Sequence, residues 1–123
     1  MSEEGFTSWM QRLGEAWEGR DASAAANLFS PDVRYRENPF GEPLRGREEV
    51  ERYWLEMLAE QEEVSVSFKV LAVTEERTVV NWEARYIDVE TKERATVNGV
   101  SVGRFSGEEL CEEWLEWWHK QQV

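Results

Sequence analysis

Apolar side chains recur at helical spacing in two stretches of this chain and at every second position in three others. Phe6, Trp9, Met10, Leu13, Ala16 and Trp17 fall on one stripe, with Gln11, Arg12, Glu15 and Glu18 opposite, which predicts a first helix ended by Gly19. Asp21 then suits the cap of a short second helix through "ASAAANLF", and "SPDVRYREN" reads as a brief strand. Asn38-Pro39, Gly41, Pro43 and Gly46 break and bend the chain before a third helix, on which Val50, Tyr53, Trp54, Met57 and Leu58 repeat. Glu48 and Glu49 in its first turn favour that start.

From Val64 the period changes to two. "VSVSFKVLAV" and "ERTVVNWEARYIDV" alternate, the second placing Val80, Trp82, Ala84 and Tyr86 on one face and Asn81, Glu83 and Arg85 on the other. "ERATVNGVSVGRF" predicts a further strand with Gly99 and Gly103 as bend or bulge sites. The segment "SGEELCEEWLEWWHK" fits either period. Leu110, Trp114, Trp117 and Trp118 suit a helix with a Ser106–Glu109 capping box, whereas a strand puts Leu110, Trp114 and Trp118 on one face. Helices first and strands afterwards imply an α+β fold, helices packed on one face of a curved sheet.

Composition narrows the function classes. At 123 residues the chain reads as one domain, with room for a core and a modest pocket. Seven Trp, three Tyr and five Phe exceed what a small core needs and fit a cavity for flat apolar molecules. A net charge of −12 argues against nucleic acid and anionic membranes as partners. One cysteine, Cys111, and one histidine, His119, leave no disulfide and no Cys/His metal cage, so neither a metal nor another cofactor is expected. "MSEEGFTSW" lacks the basic and apolar regions of a secretion signal, which makes a cytoplasmic protein the plain reading.

Three stretches, "WEGRDASAAANLFSPDVRYREN", "NPFGEPLRGREEVERYW" and "VGRFSGEELCEEWLEWW", in this order and spacing, resemble the nuclear transport factor 2-like superfamily, in its SnoaL-like and ketosteroid-isomerase-like branches. The resemblance covers nearly the whole chain. It implies a cone: a curved antiparallel sheet wrapped around the N-terminal helices, with a pocket at the wide end. It also implies that the last segment is a strand, since a helix would leave the preceding strand without its hairpin partner. The position of the isomerase base holds Asn38, which has no basic pair near neutral pH, and the oxyanion-donor positions hold Leu13 and Ser101. The histidine pair of the dehydratase branch is absent, and Asp32 and Asp88 do not assemble the Asp-Arg-Asp set of the epoxide hydrolases.

If the last strand matches the family, Trp114, Glu116 and Trp118 face the concave side. Glu116 is then a carboxylate between two indoles, where desolvation raises its pKa and suits it to acid–base work; pairing with an Arg or a place at the solvated rim is the competing reading. Tyr35, Asn38, Trp54, Trp82 and Ser101 complete the candidate ligand set. Glu37 is turned outward if Asn38 points in. Trp9, Trp17 and Trp54 suit core positions at helical spacing. Cys111, Leu115 and Trp117 share the outward parity and predict an apolar convex patch for a two-fold homodimer. The expectation is a binder of a small apolar or aromatic molecule with possible lyase or isomerase chemistry at Glu116, or else a non-catalytic dimeric binding or accessory module.

Overall fold

The computed structural model describes residues 1–107 and 109–122. Its elements run α1 (Glu3–Glu18), α2 (Ala22–Ala26), β1 (Phe29–Arg36), β2 (Leu44–Arg45), α3 (Arg47–Ala59), β3 (Gln61–Val73), β4 (Thr78–Asp88), β5 (Arg94–Ser106) and β6 (Leu110–Gln122). The helix starts follow from local chemistry. Ser2 Oγ accepts from Gly5 N–H at 2.9 Å, and Asp21 Oδ1 accepts from Ala24 N–H at 3.0 Å. Gly46 precedes α3 at φ +86°, a left-handed conformation that costs glycine little.

Three helices pack against one six-stranded, unclosed sheet of order β2-β1-β6-β5-β4-β3. The all-antiparallel expectation needs one correction: β1 runs parallel to β6, with Tyr35 opposite Trp114 and Arg36 opposite Leu115. Irregularities between Glu62 and Ser65, Val70 and Ala72, and Arg104 and Phe105 break the ladders, and such bulges bend a sheet around its contents. Neither Gly99 nor Gly103 is a bulge, because both lie in uninterrupted register.

The last segment is a strand, as the resemblance implied, and the break at Glu112 resets its parity. Phe105 faces Cys111 while Arg104 faces Glu113. Cys111 therefore turns into the core instead of joining the convex face, leaving Leu115 half-buried and Trp117 exposed there. Burial pushes the Cys111 thiol far up, so it stays protonated and inert.

The N-terminal half of α1 closes one end of the sheet. Trp9 is fully buried there, with ring centroids 5.4 Å from Phe29, 5.1 Å from Phe105 and 5.1 Å from Trp114. Its indole N–H donates to Leu28 O at 3.0 Å. The C-terminal half of α1 faces the other end, which the side chains do not fill. No described helix is long and apolar enough to cross a membrane.

Candidate functional site

At that end lies a cavity of about 340 Å³, within the range of small-molecule sites. Met10, Leu13 and Trp17 of α1, Tyr53, Trp54 and Met57 of α3, and Trp82 and Tyr86 of β4 form its apolar walls. The three central indoles lean on one another: Trp17 lies 5.2 Å from Trp54 at 81° and 5.5 Å from Trp82 at 58°. The fourth wall is β6, whose alternation aims Trp114, Glu116 and Trp118 inward. Trp17 and Trp54 are buried, as helical spacing predicted, but they also line this space.

Glu116 is the polar centre of the site. It is only 7% exposed, and among the described residues no basic side chain lies within ion-pair distance of it. Burial pushes its carboxyl up to about 7, helped by the charge of Glu37 and opposed by the Tyr35 hydroxyl. The parallel register accounts for that neighbourhood. Tyr35 sits opposite Trp114 and diagonal to Glu116, and Glu37 follows two residues on, along the same face. Glu37, just past the end of β1, lines the cavity; the outward placement expected from an inward Asn38 is corrected.

Two buried polar atoms of the cavity-lining side chains lack a hydrogen-bond partner: Glu116 Oε1 on β6 and Trp54 Nε1 on α3. Both are close enough to the Tyr35 hydroxyl to act on its ionisation, yet neither atom closes a hydrogen bond with it. Burial and the Glu116 charge hold Tyr35 well above the ordinary phenol range, and burial with Glu116 and Glu37 does the same to Tyr53. Both hydroxyls are therefore neutral donors. The unpartnered Trp54 contrasts with the other two central indoles: Trp17 donates to Gln61 Oε1 at 2.8 Å and Trp82 to Ser101 Oγ at 2.8 Å. A buried group without a partner costs stability, and both of these atoms belong to side chains that line the cavity.

Two candidate residues fall elsewhere. Asn38 is exposed, and its Oδ1 accepts from Phe40 N–H at 2.9 Å, so it shapes a turn and does not face the cavity. Ser101 is fully buried behind Trp82 and serves the indole, not a ligand. Ser101→Ala leaves the Trp82 N–H unpartnered and is expected to lower the unfolding free energy in a urea titration by about 1–3 kcal/mol. Groups not singled out from the sequence are Tyr53, Glu56, Glu60, Gln61 and Lys120. The spacing of Tyr53, Glu56 and Met57 along one face of α3 was the available signal for the helical members. No group of three or more His, Cys, Asp or Glu able to hold a metal exists among the described residues.

Residues 10–113 match the family model described as a SnoaL-like domain. No curated protein matches the chain. Among solved structures, a hypothetical protein of ketosteroid-isomerase-like fold from Catenulispora acidiphila DSM 44928, in complex with trimethylamine, superposes with TM-score 0.76 at 20% identity, over 89% of this chain and 83% of that one. The epoxide hydrolase/cyclase-like enzyme SalBIII, of pyran ring formation in salinomycin, gives TM-score 0.84 at 14% identity, over 99% and 98%. The Δ5-3-ketosteroid isomerase from Mycobacterium sp. gives 0.78 at 14%, over 97% and 98%. At these identities the likeness is one of fold.

Proposed function

This chain belongs to the SnoaL-like domain family of the nuclear transport factor 2-like superfamily, and from that premise we propose that its cavity holds a small, largely apolar molecule with which Glu116 exchanges a proton. The observation that carries the reading is the buried Glu116 carboxyl with an unpartnered oxygen, beside the unpartnered Trp54 N–H, inside an aromatic cavity. A carboxyl held near 7 is about half ionised at neutral pH and can act as base and then as acid. For a cyclic ketone the step is a carbon-acid proton transfer. Ionised Glu116 takes a proton from the carbon beside the carbonyl, the C–H electron pair forms a carbon–carbon double bond, and the carbonyl π pair moves onto the oxygen. Trp54 N–H and the Tyr35 hydroxyl are the donors for that oxygen. Returning the proton to the same or a conjugated carbon completes an exchange or an isomerisation. The family's own base and donor positions play no part, since they hold Asn38, Leu13 and Ser101. The loss of that set favours a second reading, a cavity that binds without chemistry.

Deuterium exchange into 1-tetralone, followed by NMR in D₂O alongside a binding titration, separates the readings. Glu116→Gln is expected to keep binding and to lose about 100-fold or more of the catalysed exchange, the usual contribution of a positioned base. Binding with no exchange by the wild type leaves the passive reading. If the ketone does not bind at all, this proposal is wrong for it.

A further inference from the structure

We propose that the molecule this cavity selects is a cation, a flat apolar amine whose ammonium group lies between Glu116 and Glu37 with its hydrocarbon against the indoles. The inference deepens the reading above and rests on it. Five formally charged side chains line the cavity, and four are acidic: Glu37 just past β1, Glu56 on α3, Glu60 just past its end, and Glu116 of β6. The fifth, Lys120, is already engaged, donating to Asp88 Oδ2 at 3.1 Å and sitting 5.8 Å above the Tyr86 ring. Among the described residues none of the four carboxylates has an ion-pair partner. Other acids of the sheet do: Glu83 meets Arg85 at 2.9 Å, Glu112 meets Arg104 at 3.4 Å, and Glu113 meets Arg34 at 3.7 Å. These cations meet acids outside the cavity, and among the described residues none reaches the four inside it.

The buried acceptor makes this more than an acidic rim. Glu116 lines the cavity and its enclosed Oε1 has no hydrogen-bond partner, with the Tyr35 hydroxyl bearing on the same carboxylate, which leaves a bound molecule room to supply a further donor. An alcohol could supply that hydrogen bond but would leave the repulsion between Glu116 and Glu37 in place. An ammonium answers both carboxylates together and also gains from the electron-rich faces of Trp17, Trp54 and Trp82. A carboxylate ligand would add a further like charge in a partly desolvated space, where repulsion is strong.

Binding should also depend on pH through Glu116. The groups around it are Tyr35 from β1, Glu37 just past the end of that strand, Tyr53 and Trp54 from α3, buried Ser101 opposite on β5, and Lys120 along its own strand; Tyr86 is the titratable group that β4 adds to the cavity. Tyr35 and Tyr53 stay neutral, and Lys120 stays charged, since against the effect of burial its bond to Asp88 raises its pKa, so of these shifted groups Glu116 is the one that changes state between pH 6 and 8. With its carboxyl near 7, about a tenth is ionised at pH 6 and about nine-tenths at pH 8, so an amine that needs the ionised form binds roughly tenfold more weakly at pH 6.

The test is isothermal titration calorimetry of the whole protein with tryptamine, tryptophol and indole-3-propionate, which share one indole and differ in charge. Tryptamine is expected to bind at least about tenfold more tightly than tryptophol at pH 8, and indole-3-propionate at least about tenfold more weakly than tryptophol. Glu116→Gln should erase both the amine preference and its pH dependence. Glu37→Gln should reduce the preference and keep the pH dependence. Tryptophol equal to tryptamine at pH 8, or the carboxylate binding best, overturns the charge selection while leaving a small-molecule site standing. Charge selection is overturned in the same way if only 1-tetralone binds. If neither that ketone nor any of the indoles binds, the site itself is rejected along with its selectivity.

Discussion

Glu116→Gln is expected to stabilise this protein above pH 7 and to leave it unchanged near pH 4. The sign follows from linkage. The folded protein holds the Glu116 carboxyl near 7, above its ordinary 4.5, so the folded state binds this proton more tightly than the unfolded state. As pH rises from 4.5 the unfolded chain gives up the proton first, and stability falls until the folded carboxyl has ionised as well, above about 7. The gap between the two values corresponds to about 3 kcal/mol, which wild type loses across this window and the glutamine variant does not. In a chain of this length that is a difference in Tm of roughly 10 °C at pH 8. Asp88 titrates in the opposite sense, since its bond from Lys120 lowers its pKa, but it is present in both proteins and cancels in the difference. Thermal unfolding of both proteins from pH 4 to 9 provides the check. Parallel curves would mean that Glu116 is solvated in solution and is not the buried acid described above. Retaining a carboxyl at such a cost is the pattern of a group kept for function.

How far the sequence carried this picture depended on how local each feature is. The stripes of α1 and α3 and the alternation of β3 to β5 are set by neighbours a few residues away, and they were legible. The parallel pairing of β1 with β6 joins Tyr35 to Trp114, and no local pattern marks a contact across that length of chain. The final segment deceived in another way. Its break at Glu112 shifts the parity between Cys111 and Trp114, so the strand alternation is interrupted where a helical match happens to be good. Glu116 was accessible from the family's parity, and Glu37 was not, because Asn38 was assumed to point inward. Asn38 turns out to solvent, and Glu37, just past the end of β1, lines the same cavity as Tyr35. The unpartnered N–H of Trp54 could not have been found from residues alone, since Trp17 and Trp82 look the same in sequence and have partners.

Gly99→Ala is expected to cost roughly 2–5 kcal/mol, combining overpacking with the loss of a buried hydrogen bond, and to deform the cavity at the same time. The residue lies between two tryptophans, opposite Trp82 on β4 and opposite Trp118 on β6. A Cβ there would stand 2.6 Å from Trp82 Cζ2, 2.7 Å from the backbone oxygen of Trp117 and 2.9 Å from Trp118 Cβ. The backbone oxygen cannot move without shifting β6, which carries Glu116. Trp82 cannot yield freely either, because its N–H is held by Ser101 Oγ at 2.8 Å, two residues along the strand from Gly99. The indole therefore lies over bare backbone, fixed at its nitrogen, and a methyl group beneath it must lift the ring towards the ligand space. Urea titration gives the cost, and tryptamine or 1-tetralone affinity reports the displaced ring. Adding Trp82→Phe removes the atom nearest the new methyl, so the double variant should lose less stability than the two single losses added together. Strict additivity, or a Gly99→Ala loss below about 0.5 kcal/mol, would show that the ring and the strand have room this packing denies them. The glycine that reads as a bulge in the sequence would then have no role in seating Trp82, and the floor of the cavity would be set by something other than the missing side chain.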